Sequence, residues 1–467
     1  MTNVRIFRHH IPMSLLVLFV GEVAAMVAAV YIGAHLRFLG SPDAIPEYIG
    51  ALAPRAILFA AVATLSLSSI GLYQAHLRLA SRLILFRVGL GFIFTTLLMV
   101  LIFYIFPSIY IGRGAYGMSL AISFIAVASA HTLYFHFIDH DLLKRRVLVL
   151  GAGRRAAALN RWLRRKSDQR SFRILAFVPM TDDVCNETLE PIISPETSLS
   201  AYAIANDIEE IVVAMDERRI HLPTEELLHC RLEGIRITDA ASFIERETGK
   251  VKLDLIYPSW LIFEEGYHQS PIQELAKRFL DIVACIILMM VTAPIMLITA
   301  MAIMIENGWR APVLYRQVRV GENGKHFDIL KFRSMVVNAE KHGAQWAQNK
   351  DPRITKVGGL IRKLRIDELP QVFNVLNGQM SLVGPRPERP EFIAELAEKI
   401  PYYSERHRVK PGITGWAQLK YPYGASVDDA AEKLQYDLYY VKNRGLMLDI
   451  MAIIQTVEVV LFGKGAR

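Results

Sequence analysis

Two adjacent carboxylates, Asp367 and Glu368, stand in the stretch Arg365-Ile-Asp-Glu-Leu-Pro-Gln371. One carboxylate of such a pair can attack phosphorus as a nucleophile. The other can hold Mg²⁺, a hard cation that prefers carboxylate and phosphate oxygens. Taken alone the pair is ordinary, because acids are common where helices start. Its company singles it out: Lys331, Arg333, Arg353, Arg362, Arg365 and Arg386 share its polar segment. The planar fork of arginine donates two parallel hydrogen bonds to phosphate. In Gly384-Pro385-Arg386-Pro387 a proline on each side stiffens the chain around one arginine, which a merely solvated basic surface would not need. Lys410-Pro-Gly412-Ile-Thr-Gly415-Trp416-Ala-Gln418 is a second rigid polar loop, read equally as a nucleotide or sugar contact and as a plain turn.

These residues need elements to position them. Thr355 can cap a helix running to about Leu364. Proline is tolerated in a first helical turn but not in an interior, so a helix containing Pro370 starts close to Asp367. Asp367 is then expected as an N-cap with Glu368 just inside, where free amides and the positive dipole end keep it ionised and can also hold a phosphoryl group.

The chain has 467 residues, 52% hydrophobic and 21% charged, with a mean hydropathy of +0.28. That is too apolar for one soluble domain and too charged for a pure membrane bundle, and the length suits two to three units. The net charge of +8 fits nucleic acid, an anionic membrane or phosphorylated substrates equally. Cys185, Cys230 and Cys285 are far apart, so no disulfide framework or zinc site is expected.

Four apolar runs come first, near Ile11–His35, Ala56–Tyr73, Val88–Phe106 and Tyr116–Phe137, each close to the ~20 residues a spanning helix needs. Arg5 and Arg8, then Arg78, Arg82 and Arg87, then Lys144-Arg145-Arg146 put the basic excess in alternate loops. This places the N-terminus and everything after Lys144 in the cytoplasm. The first run is read as an uncleaved helix, not a signal peptide. Arg146 to about Gly249 reads as soluble α/β, with strands at Val147–Leu150, Arg173–Val178 and Ile208–Met215 and helices at Arg155–Arg165 and Thr224–Glu233. Gly151-x-Gly153-x-x-Ala156 matches a weak dinucleotide-binding turn, but the acid that should bind ribose is missing; Asp182 and Asp183 come late. Pro258–Gly266 looks like a linker. A fifth apolar run, Ile282–Ile305, contains Pro294. A crossing there would export Arg310, Arg316, Arg319, Lys325, Lys331 and Arg333, against the positive-inside bias. Pro294 can break the helix so that it dips into one leaflet and returns.

Lys277–Asp281, the proline-broken run, Tyr315-Arg-Gln-x-Arg-x-Gly321, Lys331-Phe-Arg-Ser-Met335, Arg365-x-Asp-Glu-Leu-Pro-Gln371, Gly384-Pro-Arg-Pro387 and Lys410-Pro-Gly-x-Thr-Gly-Trp416 occur in this order. From Lys277 to Gly465 the chain resembles the bacterial sugar transferases, the monotopic phosphoglycosyl transferases. The four leading helices and Rossmann-like region resemble their large-form, polyprenyl-phosphate hexose-1-phosphate transferase members. Glu245-Arg-Glu-Thr-Gly-Lys250 and Pro258-Ser-Trp-Leu-Ile-Phe263 look like the exosortase-associated exopolysaccharide subgroup. The resemblance implies four transmembrane helices over 1–143, a Rossmann-like domain over 144–257, a linker over 258–274 and a mostly α catalytic domain over 275–467 with a re-entrant helix at 282–305. It implies a UDP-sugar donor, undecaprenyl phosphate as acceptor, Mg²⁺, and a covalent phosphosugar on Asp367 with Glu368 assisting at the metal. Lys331, Arg333, Arg353, Arg362, Arg365, Gln371, Pro385, Arg386 and Pro387 are the expected substrate contacts. The expected location is a bacterial inner membrane, with the catalytic domain on the cytoplasmic side, no nucleic-acid partner, and a homo-oligomer allowed. Many members have Ser-Pro at the helix break where this chain has Ala293-Pro294. Two rival readings are a membrane-tethered nucleotide-sugar oxidoreductase or dehydratase using the Gly151 turn, and a non-catalytic assembly scaffold. The first lacks the Tyr-x-x-x-Lys pair of short-chain enzymes anywhere in the chain.

Overall fold

The computed structural model describes residues 3–6, 9–40, 45–70, 72–73, 81–139, 144–163, 172–180, 191–194, 198–216, 222–255, 270–337, 351–421, 424 and 426–462. It is mostly helical, with several helices apolar enough to cross a membrane and some parallel sheet. It divides into two compact units, Met1–Thr248 and Gly249–Arg467.

In the first unit, α1 (Met13–Arg37), α2 (Leu52–Ser69), α3 (Ser81–Ile105) and α4 (Arg113–Asp139) coincide with the four leading apolar runs. Stretches of 18 to 22 residues in them are apolar enough to span; at about 1.5 Å per residue the longer ones cover a hydrocarbon core of about 30 Å. Within the bundle Glu22 is buried, with Tyr73 donating to Oε2 at 2.7 Å and His131 Nδ1 lying 2.5 Å from Oε1. A carboxylate in an apolar bundle needs such partners.

The same unit carries a four-stranded parallel sheet of β1 (Arg145–Leu150), β2 (Phe172–Val178), β3 (Glu210–Val213) and β4 (Arg236–Asp239) in the order β2-β1-β3-β4. Val147 to Leu150 are buried, as a central parallel strand covered on both faces requires. Helices α5 (Arg154–Trp162), α6 (Leu199–Ala205), α7 (Thr224–Leu232) and α8 (Ala240–Thr248) alternate with the strands. The third strand is shorter than its apolar run, and the expected linker Pro258–Gly266, Asp182 and Asp183 lie outside the described residues.

The second unit begins with a short strap, Gly249–Leu255, which the sequence had grouped with the preceding domain. Val251 is buried in the core of the second unit, its N–H donates to Gln435 O at 3.0 Å, and Lys250 and Lys252 pair with Glu432. The long α9 (Pro271–Asn307) starts at a capping box between Ser270 and Gln273. A β-hairpin follows, β5 (Leu314–Val320) with β6 (His326–Phe332), then α10 (Lys356–Lys363), a 3-10 turn at Ile366–Glu368, and α11 (Gln371–Leu376). Next come β7 (Ser381–Val383), α12 (Pro390–Lys399), β8 (Gly412–Thr414) parallel to β7, α13 (Trp416–Lys420), α14 (Val427–Asn443) and α15 (Leu446–Phe462).

The break expected at Pro294 does not interrupt the helix. Pro294 lies inside α9, which is helical throughout its 37 residues; proline removes one backbone donor there without ending the helix. Both ends of α9 are fastened to this one unit. Near its start Arg278 donates to Val375 O and Leu376 O at 2.6 and 2.7 Å, Lys277 Nζ lies 2.7 Å from Asp449 Oδ2, and buried Asp281 accepts from Ser381 Oγ and Leu382 N. At its end Ile303 packs in a cluster with Phe332 and Ile361, and the Glu306 carboxylate accepts from Lys356 N at 2.7 Å and Val357 N at 3.1 Å. Between them Phe279, Met290, Val291, Leu297, Ile298 and Ile305 are exposed, an apolar face left uncovered among the described residues.

Candidate active site

Thr355 caps α10 as expected, its Oγ1 accepting from Gly358 N at 2.9 Å. The cap brings the start of α10 against the end of β6: a Cβ on Gly358 would run into the Ser334 carbonyl. Arg365 ends α10 in the left-handed region, φ 57° and ψ 19°. A non-glycine residue there costs roughly 1 kcal/mol. That residue reverses the chain into the 3-10 turn carrying Asp367 and Glu368. The expectation that Asp367 is an N-cap is therefore corrected. The cap position belongs to Arg365, Asp367 lies inside the turn, and Pro370 falls at the junction with α11, where its φ of −63° suits helical backbone.

The pair is unequal. Glu368 Oε1 accepts from Lys331 Nζ at 3.1 Å and from Arg386 Nη2 at 2.8 Å, and Arg365 Nη1 lies 4.0 Å from Oε2. Burial pushes the Glu368 carboxyl up, but Arg386 and Lys331 outweigh it and hold the group well below the ordinary carboxylate range. Asp367 goes the other way. Burial, then the neighbouring Glu368 charge, raises its carboxyl, against the pull of Lys331, Arg362 and Arg386. Helix-end amides thus do not dominate Asp367; desolvation and a like charge do. Lys331 is lowered by burial, with Glu368 and Asp367 supporting its charge.

The structure gathers Lys331, Arg362, Arg365 and Arg386 around the two carboxylates. Two expected members have other contacts. Arg333 Nε donates to Pro312 O at 2.8 Å and its guanidinium lies over the Tyr315 ring. Arg353 forks onto Asp351 and holds that carboxyl at about 2. Gln371, Pro385 and Pro387 are buried.

The setting of Arg386 was not legible residue by residue. Its carbonyl accepts from Arg406 Nη2 at 3.0 Å, and Arg406 is locked to buried Asp437 at 2.8 Å. Arg319 Nη1 donates to Pro387 O at 3.1 Å. Asn374 ties α11 to β6, accepting from Leu330 N at 2.9 Å and donating to Asp328 O at 2.7 Å, which seats Lys331 opposite the pair. The two proline loops meet through glycine. A Cβ on Gly384 would strike Lys410 O, one on Gly412 would strike Gly384 N, and one on Gly415 would strike Gly384 O. Trp416 is not a free stacking platform for a base. It is buried, stacks on Tyr439 and donates to Gly249 O at 2.9 Å.

The Gly151 turn reads differently in three dimensions. The amides of Arg154 and Arg155 that would meet a pyrophosphate both donate to the Asp216 carboxylate at 2.9 Å. Gly151, at φ 118°, is needed because a Cβ would lie 2.7 Å from Ala214 O. Gly151 and Ala156 are accounted for by packing, and the amides of Arg154 and Arg155 by an internal acid.

The bacterial sugar transferase profile matches residues 272–463. A UDP-N-acetylgalactosamine-undecaprenyl-phosphate N-acetylgalactosaminephosphotransferase of Aeromonas hydrophila is 46% identical over 241 residues, 52% of this chain and 56% of the relative. An undecaprenyl-phosphate glucose phosphotransferase of Komagataeibacter xylinus is 42% identical over 198 residues, 41% of this chain and 37% of the relative. A UDP-glucose:undecaprenyl-phosphate glucose-1-phosphate transferase of Xanthomonas campestris pv. campestris is 31% identical over 372 residues, 76% of this chain and 75% of the relative. The chain belongs to the bacterial sugar transferase family. It spans little more than half of the Aeromonas relative and about a third of the Komagataeibacter one. In this sugar transferase the matched segment contains the carboxylate pair, its cations and all but the first residue of α9, whereas the parallel sheet of the first unit lies outside it.

Proposed function

We propose that this chain transfers a hexose-1-phosphate from a UDP-sugar to undecaprenyl phosphate, giving undecaprenyl-diphospho-sugar and UMP, as the first membrane step of exopolysaccharide biosynthesis. The observation that carries this reading is the Asp367–Glu368 turn, where a half-buried carboxylate stands beside an acid already neutralised by Lys331 and Arg386. Mg²⁺ fits it. Among the described residues no three acidic, histidine or cysteine groups cluster, and Glu368 Oε1 is taken by two cations. The chain would supply Asp367 and Glu368 Oε2, and donor phosphates and water the remaining oxygens, the usual habit of Mg²⁺. When bound, the ion neutralises charge on the donor diphosphate.

Asp367 attacks the sugar-side phosphorus; an O–P bond forms, the bond to the bridging oxygen breaks, and UMP leaves with that oxygen. Glu368 stays ionised and keeps Lys331 and Arg386 where the phosphate oxygens pass. The lipid phosphate then attacks the same phosphorus and Asp367 is released as a carboxylate. Positioning and charge neutralisation are the main catalytic terms. We place the second unit on the cytoplasmic face with α9 re-entrant. A crossing would put α10 and α11, seven residues apart in the chain, on opposite sides of about 30 Å of hydrocarbon, yet Glu306 is bonded to one and Arg278 to the other.

UMP release is measured from UDP-glucose, UDP-galactose, UDP-N-acetylglucosamine and UDP-N-acetylgalactosamine in membranes containing undecaprenyl phosphate. Without acceptor, one UDP-sugar should label the protein through its sugar, and Asp367→Asn should never take the label. A normally labelled mutant would move the nucleophile elsewhere, and no release from any donor would end the transferase reading.

A further inference from the structure

We propose that the buried pair Arg406–Asp437 is a positioning unit of the site: it fixes the Arg386 carbonyl and so keeps the Arg386 guanidinium on Glu368. This rests on the transferase reading above. Arg406 stands in a 3-10 turn at Tyr403–Arg408, and Asp437 stands in α14. Their exposures are 5% and 2%. Every nitrogen of the Arg406 guanidinium donates. Nε and Nη2 reach Asp437 Oδ2 at 3.1 and 2.8 Å, Nη1 reaches Tyr403 Oη at 2.9 Å, and Nη2 also reaches Arg386 O at 3.0 Å.

The guanidinium is turned toward that last acceptor. An arginine serving only a carboxylate lays two parallel hydrogen bonds across both oxygens. Arg406 puts both on Oδ2 instead, and Asp437 Oδ1 is buried with no hydrogen-bond partner among the described residues. A buried oxygen left unbonded is costly, and burial raises the Asp437 carboxyl against the pull of Arg406. A buried ion pair is in any case weak evidence for stability, because desolvation offsets its attraction. What the arrangement gains is a hold on Arg386. Pro387 confines the Arg386 backbone to extended forms, so a held carbonyl settles the direction in which the side chain leaves. Arg386 Nη2 then meets Glu368 Oε1 at 2.8 Å.

The wild-type full-length chain in nanodiscs is compared with two variants. The double variant Arg406→Met/Asp437→Leu replaces the pair by apolar side chains. In Asp437→Asn the amide oxygen can still accept from Arg406. Exchanging a buried pair for apolar groups need not cost stability, so the double variant should melt close to wild type or above it. Its kcat/KM for the donor should fall on the order of 100-fold, the scale of a misplaced catalytic group. The acid limb of its pH profile should move to higher pH, because Arg386 lowers both carboxylates and would now stand away from them. Lys331 and Arg365 would remain beside Glu368, and Lys331 and Arg362 beside Asp367. Asp437→Asn should stay within a few-fold of wild type with its limb unmoved, since an oxygen rather than a charge holds Arg406. A double variant with wild-type rate and limb would overturn the proposal alone. So would a lost rate with an unmoved limb, or a double variant that melts far below wild type or does not fold, which would make the pair a stabilising element. An Asp437→Asn protein as slow as the double variant would assign the effect to charge and overturn it too. A wild type that releases no UMP takes the transferase reading and this proposal down together.

Discussion

At the scale of single residues, the unequal ionisation of Asp367 and Glu368 fixes a pH dependence. The proposed attack needs Asp367 as the carboxylate, and burial with the neighbouring Glu368 raises its pKa above the ordinary value of about 3.9. As pH falls, kcat/KM for the donor should drop through a limb above about pH 3.9. Glu368, held low by Arg386 and Lys331, remains ionised across that limb, so the slope should correspond to one proton. A limb at or below about pH 3.9, or a two-proton slope, would contradict this assignment. For stability the signs oppose. Asp367 binds its proton more tightly when folded, so it favours the fold as pH falls through its folded pKa. Glu368 favours the fold above its unfolded value of about 4.3 and loses that contribution as pH falls through its depressed folded value. The identities of the pair and of Lys331, Arg362 and Arg386 were legible because charge of both signs concentrates in one segment. The contacts of Arg333 with Pro312 and of Arg353 with Asp351 were not legible, because composition does not show which neighbour an arginine fastens.

At the scale of elements, α9 decides on which side the chemistry occurs. Lys277 is unsuitable as a labelling position because it belongs to a polar network with Asp449 and Tyr440. Ile272, near the start of α9, and Arg310, just past its end, are exposed. Single cysteines at these two positions should react with a membrane-impermeant maleimide only in inverted vesicles. Labelling of Arg310→Cys from the periplasmic side would make α9 a crossing. The helices of the bundle and the parallel sheet were readable from apolar runs and turn glycines, since both arise from local patterning. The 3-10 turn was not. The rule for Pro370 locates a helix start to within a turn, but a left-handed Arg365 moved that start, and no local preference predicts arginine there.

At the scale of the whole molecule, the second unit begins 23 residues before the family match, at Gly249 rather than 272. The strap completes a core. Val251 is buried, Lys252 pairs with Glu432, and the Gly249 carbonyl takes the indole N–H of Trp416. A truncated chain starting at Gly249 should keep its thermal stability and its transferase activity in nanodiscs. One starting at Ser270 should lose roughly 2 kcal/mol or more, from the missing valine and the unpaired donor of Trp416. Equal melting temperatures would show the strap to be a passive connector. Neither composition nor periodicity separates a strap from a linker, because the difference lies in what the far side of the fold offers it.

The interlock of Gly384, Gly412 and Gly415 bears on how variation in this protein should be interpreted. Each leaves no room for a side chain against the backbone of the other loop. A library randomised at these positions would return glycine at all three, and a substitution at one could not be rescued by a change at another, because the collisions are with main chain. Intolerance of that kind resembles the signature of a catalytic residue, yet here it measures only how closely two strands of peptide must pass for Arg386 to point the right way.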